Sequence, residues 1–151
     1  MGAAAKKFTA ASRAAACPGA EKVERGLHIA NRKEPMRAEL ELRTKRFALS
    51  VIEAVGNLKK SKAADVIGYQ LLKSGTSIGA NYREANRAQS HDDFIHKIAI
   101  CEKEAAETEY WLELLIESGV ANPGTCDDLL REARELLAIF VASGRTAKSR
   151  R

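Results

Sequence analysis

Aromatic residues are scarce in this chain: Phe, Tyr and Trp together make up 5% of its 151 residues, and alanine carries much of the apolar count. The half-buried strands of a sandwich or barrel draw on Tyr, Phe, Val and Thr, so the shortage favours helices. Proline is confined to Pro18, Pro35 and Pro123, which leaves a long proline-free stretch where helices can run unbroken. Long apolar runs are missing. The longest stretches without Lys, Arg, Asp or Glu are nine residues, as at Ser74–Tyr82 and Leu136–Gly144, whereas a membrane-spanning helix needs about 18–20 apolar residues. The three cysteines, Cys17, Cys101 and Cys126, form no CxxC and stand beside no paired histidines. That argues against a disulfide framework or a zinc site, and for a reducing, cytoplasmic setting.

What is present divides into two textures. Residues 1–36 are rich in Ala, Ser, Lys and Arg, with no acid before Glu21 and few apolar side chains larger than alanine. Such a segment cannot offset its chain entropy by burial. It reads as a disordered basic arm, as a non-native extension ahead of Met36, or as an acid-poor targeting peptide. The formal net charge is +5, but its distribution matters more. Residues 1–36 hold seven Lys and Arg against three acids, and 145–151 hold four cations and no acid. The interior, 37–144, holds 14 cations against 17 acids and is mildly acidic. The basic character therefore belongs to the two ends.

From Arg37 onward, apolar residues recur at helical spacing. A first helix is expected over about 37–60 on Leu40, Phe47, Val51, Val55 and Leu58. Ser61 can cap a second, where Ile67, Leu71, Ser74, Ile78, Asn81, Ala85 and Ala88 step by four and three. That period runs straight through Ser74-Gly75-Thr76-Ser77-Ile78-Gly79-Ala80-Asn81, so one long helix is expected across a segment that propensity alone would make a loop. Ser90 with Asp93 forms a capping pattern for a third helix, on Phe94, Ile98, Cys101, Ala105, Thr108, Leu112 and Leu115. Gly119 and Asn122-Pro123-Gly124 end it. Thr125 with Asp128 repeats the capping pattern before a fourth helix on Leu129, Ala133, Leu136 and Phe140. The expected fold is all-α: an up-down-up-down four-helix bundle over 37–147, followed by a basic tail at 148–151. Stripes widened by Tyr69, Tyr82 and Trp111 point to apolar surface beyond one bundle's needs, which usually marks an oligomer contact.

Three segments carry a resemblance: Leu72–Ala85, Asp93-Phe94-Ile95-His96-Lys97, and Lys103–Leu115 with its KEAAETEYWLELL pattern. Together they closely resemble the family of four helix bundle proteins, also called 23S rRNA intervening-sequence proteins, over about residues 38–147. The resemblance implies a bacterial four-helix bundle, commonly a ring-like homopentamer, with no catalytic reaction and a proposed association with RNA or the ribosome. A related bundle, the accessory protein of diversity-generating retroelements, partners a reverse transcriptase and RNA. The alternative it suggests is a protein–protein adaptor for a nucleic-acid enzyme.

The residues themselves support no enzyme. The glycine-containing patch lacks GxxxxGK[ST] and a preceding strand, so it is no phosphate loop. A di-metal bundle needs two E-x-x-H pairs, and only Asp93-Phe94-Ile95-His96 approximates one, so neither metal nor cofactor is expected. The histidines, His28, His91 and His96, complete no nucleophilic arrangement. Ser74, Gly75, Ser77, Gly79, Asn81 and Trp111 are the expected helix-packing and assembly residues. In this reading Gly75, Gly79 and Ala80 admit a neighbouring helix while Ser74, Ser77 and Asn81 hydrogen-bond across the contact. The acids of the third helix, Glu104 and Glu107 among them, read first as a solvated face; a pair between either of these two and Arg83 or Lys97 of a neighbouring helix or subunit is the alternative. In an up-down bundle one end collects Arg43, Lys45, Arg46, Arg83, Arg87, Lys97, Arg145, Lys148, Arg150 and Arg151, an expected contact surface for nucleic-acid phosphates. The expected partners are thus a second copy of the chain and RNA or a nucleic-acid enzyme, with no membrane and no small substrate.

Overall fold

Two serines set helix starts as their spacing implies. Ser61 Oγ accepts from the Ala64 amide at 3.0 Å, and Ser90 Oγ accepts from the Asp93 amide at 3.1 Å. Asp93 in turn accepts from the Gln89 amide at 3.2 Å, so two otherwise unpaired amides are satisfied at one helix start. The computed structural model describes residues 18–121 and 124–150. Its helices are α1 (Pro18–Gly56), α2 (Lys62–Asn86), α3 (His91–Glu117) and α4 (Thr125–Lys148), with no strand among the described residues. The chain divides into two compact units, Met1–Pro35 and Met36–Arg151; the second holds everything below.

Two helix starts differ from the sequence reading. Helix α1 begins at Pro18, within the stretch expected to be a disordered arm; the part of that arm before Pro18 lies outside the described residues. The absence of an apolar period speaks against packing, not against helix. Pro18 suits a first helical turn, and Ala, Glu, Lys and Arg that follow are strong helix formers. At the start of α4 the cap is Gly124, at φ 96° and with no side-chain bond, so Thr125 is the first helical residue rather than the cap. The turn at Asn122-Pro123 lies outside the described residues. Helix α2, by contrast, is unbroken through the small-residue segment.

All four helices pack together around Phe47, Val51, Leu71, Ile78, Ile98, Leu112, Leu115, Leu136 and Phe140. Tyr82 belongs to this core rather than to a widened outer stripe: it is buried and its ring meets Phe140 at 5.7 Å. Thr44, Ser74 and Thr108 are fully buried hydroxyls. Each donates to a carbonyl of its own preceding turn, Leu40 (2.9 Å), Gln70 (3.1 Å) and Glu104 (2.7 Å). No buried side-chain nitrogen or oxygen among the described residues is left without a partner.

Cys101 fills a core position as a small hydrophobe, its thiol facing the Ile78 carbonyl at 3.8 Å. Burial pushes its pKa from 9.0 up to about 12, and burial raises Cys126 as well. The fold therefore favours the protonated thiol. Its contribution to stability is complete below pH 9.0 and is lost as pH rises towards 12. Iodoacetamide at neutral pH is expected to leave Cys101 and Cys126 unmodified until the protein is unfolded; mass-spectrometric mapping of native-state adducts at either residue would contradict their burial.

Candidate nucleic-acid interface

Three side-chain contacts gather helix ends at one end of the bundle. Asn86 Nδ2 donates to Glu41 Oε1 at 2.8 Å, joining the end of α2 to α1. Lys97 Nζ donates to Glu84, joining α3 to α2. His91 Nε2 donates to the Ala147 carbonyl at 2.9 Å, joining the start of α3 to the last turn of α4. Around these contacts Arg83, Arg87, Arg145, Lys148 and Arg150 are exposed, and none makes an ion pair among the described residues. Lys45 and Arg46, further along α1, are exposed and likewise without an ion pair. Arg145 and Lys148 occupy the last turn of α4, where the carbonyl ends of the helix dipole favour cations.

The expected set of cations is not uniform. Arg43 grips Glu132 through two bonds, at 2.6 and 2.8 Å, and also reaches Glu135. The hydrogen bonds to Glu132, then those to Glu135, push its already high pKa higher. This guanidinium clamps α1 to α4 and does not stand free at the end of the bundle. Lys97 is committed to Glu84, which raises its pKa, and not to Glu104 or Glu107. Glu107 instead accepts from Trp111 Nε1 at 3.3 Å. Arg151 lies outside the described residues. Acids elsewhere are also taken up: Arg134 holds Glu109 and Glu113 at 2.7 Å each, and Arg131 holds Asp128 at 2.6 Å. These exposed pairs each stabilise little, because water and salt screen them, but they decide which charges remain available.

The small-residue segment acts as a seam between α1 and α2. A Cβ at Gly75 would lie 3.1 Å from both methyls of Val51, and one at Gly79 would lie 3.4 Å from Thr44 Oγ1. Gly68, absent from the expected set, is tighter still, at 3.0 Å from a Val55 methyl. These contacts pair α1 with α2 in opposite chain order. The polar neighbours do not bond across the seam as expected. Ser74, Ser77 and Asn81 bond back to Gln70, Lys73 and Ser77 of their own helix, because a short side chain on a helix meets the preceding turn's carbonyl first. Ala80 is exposed and faces away.

The outer apolar surface expected at Tyr69 extends well beyond that residue. Of seven exposed large apolar side chains among the described residues, six lie on α1 and α2: Met36, Leu42, Leu49, Ile52, Val66 and Tyr69, the last 66% exposed. On α2 they continue a second, outer stripe of exposed residues, Val66, Tyr69, Lys73, Thr76, Ala80, Arg83 and Arg87, again stepping by three and four. That spacing is visible in the sequence, but the stronger inner stripe masks it.

A groove of about 480 Å³ between α1 and α4 is floored by Phe47, Ala54 and Leu129 and edged by charges of both signs. Among the described residues no three His, Cys, Asp or Glu side chains cluster to hold a metal, and no helix is long and apolar enough to cross a membrane.

The fold has a solved counterpart. A protein of unknown function from the S23 ribosomal protein family of Bacteroides thetaiotaomicron is 36% identical, with a TM-score of 0.66, over 72% of this chain and 97% of that one. Among curated proteins there is no match. The model of the 23S rRNA-intervening sequence protein family matches residues 39–142, from the middle of α1 into the last turns of α4. With four packed helices and that match over most of its length, the chain belongs to the 23S rRNA-intervening sequence protein family.

Proposed function

We propose that this protein is a non-enzymatic, self-assembling up-down-up-down bundle that associates with RNA or a ribonucleoprotein through the end bearing Arg83, Arg87, Arg145, Lys148 and Arg150. The observation that carries the reading is a cluster of exposed cations. Arg83, Arg87, Arg145, Lys148 and Arg150 gather at one end without an ion pair among the described residues, a larger group than the likewise unpaired Lys59, Lys60 and Lys62 around the α1–α2 turn. Unpaired, exposed cations are the groups that exchange condensed counterions for protein on a phosphate backbone. They contact phosphate rather than base edges, so the binding is expected to be insensitive to sequence. The exposed apolar face of α1 and α2 supports self-assembly, for which a homopentameric ring is the proposed form. A ring whose axis runs along the helices would set the basic ends side by side.

The test is a salt titration of binding to a structured RNA. Each phosphate contact contributes about 0.7–0.9 to the slope of log affinity against log salt. Replacing Arg83, Arg87, Arg145 and Lys148 together with Gln is expected to lower that slope by about 3. An unchanged slope, or no binding at low salt, would overturn the reading. A partner protein retained from native extract after nuclease treatment would favour the adaptor role instead.

A further inference from the structure

We propose that the outer face of α1 and α2 in one copy docks against the outer face of α3 in the next, with Lys73 opposite Glu107 and Tyr69 opposite Trp111. The proposal rests on the self-assembly reading above and specifies which surfaces meet.

The two faces differ in chemistry. The α1–α2 face offers Leu42, Leu49, Ile52, Val66 and Tyr69, with Lys45, Lys73, Arg83 and Arg87 as its cations and Asp65 as an acid near its far end. The outer side of α3 offers exposed Tyr110, half-buried Trp111 and Leu114, and the acids Glu104, Glu107 and Glu117, with Lys103 as a cation among them. Tyr110 and Trp111 stack edge to face at 5.0 Å, forming one aromatic knob. Contact of the α1–α2 face with its own copy would bring cations towards cations, which is costly at an interface. Contact between the two unlike faces brings cations to acids.

Height along the bundle makes the match specific. Helices α2 and α3 are antiparallel neighbours, with Glu84 beside Lys97 and the Ile78 carbonyl beside Cys101. Equal rise along both helices then places Glu107 level with Lys73, Trp111 level with Tyr69, Leu114 level with Val66, and Ile100 level with Ala80. Rotation about an axis parallel to the helices leaves heights unchanged. A neighbouring copy related in that way therefore presents acid to cation at Glu107 and Lys73, aromatic to aromatic at Trp111 and Tyr69, and apolar to apolar at Leu114 and Val66, with the acids Asp65 and Glu117 meeting only near the far end. Such a contact uses two different patches and is head-to-tail, so it closes into a ring or extends as a filament.

The test measures the mass of the assembly by light scattering and its dissociation by dilution, for the full chain and for K73E, E107K, K73E/E107K and Y69A. Lys73 and Tyr69 are exposed, so their substitution leaves the fold intact; a thermal melt checks each variant. Opposed like charges are expected to weaken association about tenfold or more in each single charge variant. The double reversal is expected to restore it, and Y69A is expected to weaken association by a similar factor without recourse to Glu107. An assembled native protein whose dissociation none of the single variants changes, or whose K73E defect E107K does not repair, would overturn this facing while leaving self-assembly standing. A native protein that stays monomeric at high concentration would overturn both.

Discussion

Gly75→Leu should cost this protein about 3 kcal/mol or more, at or beyond the upper end for overpacked cores. The first added carbon would already sit 3.1 Å from both methyls of Val51, itself fully buried. Valine in a helix has essentially one χ1 rotamer, so its methyls cannot swing aside. The remaining carbons of the leucine would have to push α1 and α2 apart and open the core. Gly79→Ala provides the contrast. There the added carbon meets Thr44 at 3.4–3.5 Å, an ordinary contact, and alanine is favoured over glycine in a helix by about 1 kcal/mol. Gly79→Ala should therefore be neutral or slightly stabilising. Urea denaturation of the two variants decides the matter. Equal midpoints for Gly75→Leu and the native chain would show that the seam is looser than its geometry implies.

Phe140→Ala should destabilise by about 3–5 kcal/mol. Phe140 is the largest fully buried side chain, and it meets both the core of α4 and the ring of Tyr82 from α2. Its removal leaves a cavity in the core beside Tyr82, between α4 and α2, where well-packed helices relax only partly. With a total stability of about 5–15 kcal/mol expected for a domain of this kind, the variant should lie near the edge of folding. The measurement is the denaturant midpoint together with the slope. A loss below about 1 kcal/mol would mean that the site closes around the smaller side chain.

The seam and the core show how far periodicity reaches. Steps of four and three identified the inner stripes of α2, α3 and α4, because a residue on the buried face must recur at the helical period wherever it sits in the chain. The same argument carried α2 through Ser74–Asn81 against its low propensity. Periodicity does not report a helix that carries no apolar stripe, and so it placed the start of α1 at Arg37 where the helix begins at Pro18. It also does not say how close two helices come. Gly68 emerged only when Val55 and Leu58 were seen against it.

Charge divides in the same way. The sequence by itself determined that the interior is mildly acidic, that the cations concentrate at the ends, and that four amphipathic helices share one core. Counting charges did not reveal which were already taken. Arg43 is drawn to Glu132 and Glu135, 89 and 92 residues away in the chain, and Lys97 to Glu84 rather than to the acids of its own helix. Those choices depend on the rotation and height of each helix against its neighbours, which packing fixes and local sequence does not. Tertiary structure alone decided which cations are left facing solvent, and with them the surface proposed to meet a phosphate backbone.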